Sequence, residues 1–115
     1  MRRGEVFWAT LAPRSGSEQT GRRPVVLLSN DGFNRVEAWR SVIVIPFSTS
    51  GRQATRGPTA VLVPAASSGL GADSVALCHQ VTTLDRSKLI TKIGALPAAA
   101  MAAVELGVKI ALDLD

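Results

Sequence analysis

Apolar residues along this chain gather in short runs separated by polar, glycine-bearing stretches, a pattern of strands joined by loops. The first run, Gly4–Leu11 (GEVFWATL), carries the strand formers Phe7 and Trp8 and stops before Pro13. A polar loop, Arg14–Arg22, follows. It exceeds the usual hairpin connection, and loops of that length are often functional. Pro24–Ser29 (PVVLLS) and Ser41–Phe47 (SVIVIPF) read as continuous apolar strands, with a turn signal at Asn30–Asn34 between them. Pro46 withdraws a ladder donor, so that end of its strand is expected at an edge or a bulge. A polar, basic loop over Ser48–Pro58 leads to a fourth strand, Thr59–Val63, and a third loop covers Pro64–Ala72.

The alternation in Ser74–Leu84 (SVALCHQVTTL) predicts one long fifth strand. Val75, Leu77, His79 and Val81 would share one face, and Ala76, Cys78, Gln80 and Thr82 the other. DRSKLI, from Asp85, has room for one helical turn, and KIGAL, from Lys92, for a last short strand. From about Pro97 the spacing predicts a helix, with proline suited to its first turn. Met101, Val104, Val108 and Ala111 form its apolar stripe, widened by Leu106, Ile110 and Leu112. Glu105, Lys109 and Asp113 line the opposite face at i, i+4 spacing. Gly107 costs such a helix about 1 kcal/mol against alanine. The expected architecture is mainly β with a C-terminal helix: a small antiparallel barrel or half-barrel forming one domain over residues 1–115.

The chain has 115 residues and is 46% hydrophobic, enough for a core without disulfides or metal. Aromatics make up only 4%, so that core is aliphatic. The formal net charge is +4 and the pI about 10.2, an excess that suits an anionic partner. Ten of the thirteen cationic residues are arginine, concentrated in the first half, and arginine favours bidentate phosphate contacts. The single cysteine, Cys78, excludes an internal disulfide and fits a reducing compartment. No apolar run approaches the roughly 18 residues of a membrane span. Arg2 and Arg3 precede no signal core, because Glu5 interrupts at once. A soluble, cytoplasmic protein with no membrane partner is expected.

Much familiar chemistry is excluded. One histidine rules out a ribonuclease built on two imidazoles and a histidine-rich metal site. His79 sits on the apolar face of its expected strand and has no nucleophile elbow to serve, so it reads as a packed core residue. Asp73, Asp85 and Glu18 lack metal-ligand spacing, and no metal or cofactor is expected. GSEQTG lacks the Gly-Lys-Ser/Thr ending of a phosphate-binding loop. What remains is an arginine pair, Arg22 and Arg23, just before one buried run, and three hydroxyls, Ser48, Thr49 and Ser50, just after another. On neighbouring strands, arginine and hydroxyl would converge at one rim and hold a phosphate.

Two segments, RRGEVFWATLAP and GSEQTGRRPVVLLSND, resemble the opening of the MazF/PemK/Kid family of toxin–antitoxin ribonucleases. SVIVIPFS is similar to that family's central strand, and DSVALCHQVTTLDRSKLITKIGAL to its later segment. The resemblance covers about residues 2 to 112. It implies an SH3-like barrel with a C-terminal helix, a homodimer, and metal-independent cleavage of single-stranded RNA at short sequences. The ribose 2′-oxygen would attack the adjacent phosphorus, leaving a cyclic phosphate and a 5′-hydroxyl. Carried over by position, the family's catalytic arginine falls on Arg23, which Pro24 holds extended. Its hydroxyl partner, usually threonine, falls on Ser48, with Thr49 as the alternative if the loop is shifted by one residue. Arginine stays protonated, so Arg23 is a phosphorane stabiliser and proton donor rather than the base.

The resemblance further implies RNA contacts for Ser17, Glu18 and Gln19 in the first loop and for Gln80. Arg22, Arg52 and Arg56 would add attraction to phosphates. It also implies neutralisation by a cognate acidic antitoxin with a disordered tail, the complex of the two binding DNA. The alternative is a non-enzymatic gyrase-poisoning toxin of the CcdB type. GRRPV and FST favour RNA cleavage, and the ALDLD terminus lacks the Trp-Gly-Ile ending of CcdB.

Overall fold

A computed structural model of the chain describes residues 1–11, 21–49 and 57–115. Among these residues, seven strands and two α-helices follow in the order β1 (Glu5–Leu11), β2 (Gly21–Leu27), α1 (Asp31–Asn34), β3 (Ser41–Ser48), β4 (Ala60–Val63), β5 (Ser74–Leu77), β6 (Thr82–Asp85), β7 (Leu89–Ala95) and α2 (Ala98–Leu112). All pairings are antiparallel, and the strand order is β4-β5-β3-β2-β1-β7, with β6 also on β3. The fold is therefore mainly β with a C-terminal helix, as the hydrophobic pattern predicts.

The continuous apolar character of β2 and β3 has a simple cause: both faces are buried. Val26, Ile45 and Phe47 join Val6, Val63, Ala76 and Cys78 in a core covered by Val104 of α2. Val25, Leu27, Val42 and Val44 turn the other way, into a second core with Phe7, Ala9, Leu11 and Leu84.

The expected single strand from Ser74 to Leu84 is broken. Cys78–Gln80 forms a 3₁₀ turn, with β5 before it and β6 after it. Both flanking strands pair with β3, but out of step: Phe47 meets Ala76, whereas Val44 meets Thr82. Three residues are thus looped out opposite Ile45 and Pro46. Pro46 cannot donate there, which realises the bulge expected of it. The turn also moves His79 out of the core. It is exposed, and its Nδ1 lies 2.9 Å from Thr59 Oγ1.

Other departures have local causes. The Asn30–Asn34 turn is a single helical turn, capped by the Asn30 side chain accepting from Gly32 N at 2.6 Å. The turn after Asp85 is 3₁₀ over Arg86–Lys88, capped by the Asp85 carboxylate accepting from Ser87 N and Oγ. Those bonds, with Arg40 beside them, hold the Asp85 carboxyl down at about 2. The last strand is longer than KIGAL because β7 pairs along most of β1. The apolar stripe of α2 is narrower than predicted: Val104 is buried and Met101, Val108 and Ala111 are half-buried, but Leu106, Ile110 and Leu112 are exposed.

Candidate active site

β2 begins at Gly21, so Arg22 and Arg23 lie inside the strand rather than before it. Its register against β1 sets Trp8 opposite Pro24, Ala9 opposite Arg23 and Thr10 opposite Arg22. Side chains alternate along a strand, so Arg22 shares a face with Pro24, and Trp8 stands on that face across the ladder. The Arg22 guanidinium lies over the Trp8 ring, 5.4 Å from its centroid.

The ladder between β2 and β3 runs from Leu27↔Val44 to Val25↔Pro46 and stops. Two prolines, Pro24 and Pro46, sit where it ends, and neither can donate. Continued by two residues, this register would set Arg23 across from Ser48. On the other edge of β3, Phe47 and Ser48 pair with β5, opposite Ala76 and Val75. The arginine pair of β2 and the hydroxyl end of β3 then border one cavity of about 510 Å³. Arg22, Arg23, Ser48 and Thr49 all line it. Ser48 is buried at 6% exposure, whereas Thr49 is exposed, so the two hydroxyls stand at different depths.

The remaining wall comes from segments without obvious chemistry in the sequence. Gly69, Leu70, Gly71 and Ala72 line it from the strap before β5, Ser74 from the start of β5, and Ile93 from β7. The strap crosses β7 backbone to backbone. A Cβ on Gly69, whose φ is +81°, would run into the Ile93 carbonyl, and one on Gly94 into the Ser68 carbonyl. Only glycine meets both demands at position 69. Trp8, one of two tryptophans in the chain, was the one missed lining residue with a sequence signal.

Not every candidate converges here. Gln80 lies in the 3₁₀ turn against α2 and does not line the cavity. Ser17, Glu18, Gln19, Arg52 and Arg56 fall outside the described residues. Among the described residues, no three His, Cys, Asp or Glu side chains gather as metal ligands, and no helix is long and apolar enough to cross a membrane.

An antiparallel sheet with a terminal helix thus carries Arg22, Arg23, Ser48 and Thr49 around one cavity. The chain belongs to the PemK-like, MazF-like toxins of type II toxin–antitoxin systems, whose family pattern matches residues 2–112. It is 33% identical over 112 residues to the endoribonuclease MazF6 of Mycobacterium tuberculosis, covering 97% of this chain and 96% of that one. It is 38% identical over 114 residues to the endoribonuclease EndoA of Bacillus subtilis, covering 99% and 96%. Among solved structures it is similar to a mycobacterial endoribonuclease in complex with its cognate antitoxin. There the TM-score is 0.77 at 25% identity, covering 98% of this chain and 95% of the other.

Proposed function

We propose that this protein is an endoribonuclease toxin that cuts single-stranded RNA in the cytoplasm, acts as a homodimer, and is neutralised by an acidic antitoxin. Its relatives are endoribonucleases over nearly their whole length, which favours this reading over gyrase poisoning of the CcdB type. The observation that carries the chemistry is the meeting of Arg22, Arg23, Ser48 and Thr49 at one cavity.

In this reaction a bond forms between the 2′-oxygen and phosphorus, and the bond from phosphorus to the 5′-oxygen breaks. The 2′-proton leaves to a base, and the departing 5′-oxygen takes up a proton. The products are a cyclic phosphate and a 5′-hydroxyl end. Arg23 stabilises the extra charge on the phosphorane, and either Arg23 or the Ser48 hydroxyl delivers the proton. Arg22 adds attraction for the phosphate. Ser17, Glu18 and Gln19 belong to the segment joining β1 to β2, and Arg52 and Arg56 to the segment running on from Thr49. In sequence the first segment closely precedes Arg22 and the second follows Thr49, both of which line the cavity, and this supports assigning them to RNA contacts. Gln80 is retained as a contact to RNA outside the cavity.

The test is digestion of a long RNA of known sequence by purified protein in excess EDTA, with the new 5′ ends mapped. Cleavage at a short recurrent sequence with 5′-hydroxyl ends is expected. Activity that vanishes in EDTA and returns with Mg²⁺ overturns the mechanism.

A further inference from the structure

The cavity is mixed in chemistry. Its lining includes polar groups, Arg22, Arg23 and Ser48, and apolar ones, Trp8, Phe47 and Leu70. A phosphate needs only the polar groups. The apolar ones, with a half-buried indole whose face is covered by a mobile type of side chain, suit a flat ring.

We infer that Trp8 stacks one of the two nucleobases flanking the scissile phosphate, and so takes part in choosing the sequence that is cut; the inference rests on the RNA-cleaving reading above. In the free protein Arg22 occupies the Trp8 ring at 5.4 Å. An arriving base takes that ring face, since every base presents a π surface and single-stranded bases are free to splay out. Arg22 then exchanges the indole for the adjoining phosphate, a better partner for a guanidinium. The exchange links base recognition to phosphate binding. It also separates the two arginines: Arg23 is opposite Ala9, so its side chain leaves β2 on the other face from Trp8.

Once the cleaved phosphate is mapped, the test uses an RNA oligonucleotide spanning it and two versions lacking the base on either side. In wild type, one abasic version is expected to lower kcat/KM about 10- to 100-fold. Trp8→Ala should lose a similar factor on intact RNA and lose nothing further on the abasic version, and Trp8→Phe should restore most of the difference. A second readout does not depend on turnover. Trp39→Phe leaves Trp8 as the sole tryptophan, and its fluorescence should be quenched by an uncleavable oligonucleotide with 2′-deoxyribose at the attacking position. The abasic counterpart should not quench it. An abasic penalty unchanged in Trp8→Ala, or bound oligonucleotide without quenching, overturns the stacking role while leaving the nuclease reading intact. Failure of wild type to cut any RNA overturns both.

Discussion

Gly107 of α2 stands so close to Cys78 that a β-carbon on it would lie 2.7 Å from the cysteine sulfur and 3.2 Å from its Cβ. The helix gives up propensity at this residue to seat itself on the looped-out turn between β5 and β6. Gly107→Ala is therefore expected to destabilise the protein by about 1 kcal/mol. The overpacking cost of roughly 1–3 kcal/mol exceeds the gain of about 1 kcal/mol in propensity. Urea melts of Gly107→Ala, Cys78→Ala and the double variant measure it. The double variant should recover part of the loss, and additive losses would mean that the two residues do not press on each other.

The same contact shields the thiol. Cys78 is buried, its sulfur donates to the Val104 carbonyl at 3.6 Å, and burial pushes its pKa up to about 11. A thiol whose pKa is raised on folding contributes stability in full below the unfolded value, near 9, and loses it as pH rises through about 11. Native protein should react with iodoacetamide only as fast as it opens. Urea stability should decline above pH 9 in wild type more steeply than in Cys78→Ala. Rapid native labelling at pH 8 would contradict the burial.

Arg23→Ala is expected to abolish RNA cleavage with little effect on folding, and Arg22→Ala to reduce it less. Losing a contact to the phosphorane costs about 3 kcal/mol or more, roughly two orders of magnitude in rate. Arg22 leaves Trp8 uncovered when removed, which offsets part of its phosphate role. Single-turnover rates on one mapped RNA compare the two, and equal activity in Arg23→Ala and wild type removes Arg23 from the site.

The hydroxyls are separable as well. Ser48→Ala should slow cleavage more than Thr49→Ala, because Ser48 is the one enclosed within the wall. The reverse order of damage assigns the role to Thr49.

An acidic, partly apolar peptide from the cognate antitoxin is expected to bind across this cavity, meeting the arginines with its carboxylates and the apolar lining with its hydrophobes. Its affinity should fall with added salt, and it should displace an uncleavable oligonucleotide. Ternary binding without displacement, followed by fluorescence anisotropy of a labelled RNA, would place the antitoxin elsewhere.

Strands whose identity rests on local composition were legible before the structure. β1 through β4 are β-branched or aromatic runs closed by Gly, Pro or Asn, and the arginine–hydroxyl rim follows from their ends. What stayed hidden depends on distant partners. SVALCHQVTTL keeps its alternation straight through Cys78–Gln80, and only pairing with β3, opposite Pro46, shows that three residues leave the ladder. Leu106 and Ile110 look like stripe residues because helical spacing cannot reveal how narrow a surface the sheet offers α2. The strap from Gly69 to Ala72 joined the cavity without any residue type that announces chemistry. Its place there is decided by a main-chain crossing.

That crossing gives the cleft one stiff wall and one adjustable lining. Because Gly69 and Gly94 each bring a backbone carbonyl of the other segment into contact, the spacing between strap and β7 is set by main-chain thickness. Leu70 anchors the strap in the core, whereas Gly71 and Ala72 are exposed and a Cβ at Gly71 would meet nothing within 4 Å. Substitution at Gly71 or Ala72 is expected to reshape what the cleft admits while the spacing between strap and β7 stays fixed. One barrel can in this way be retuned from one RNA word to another.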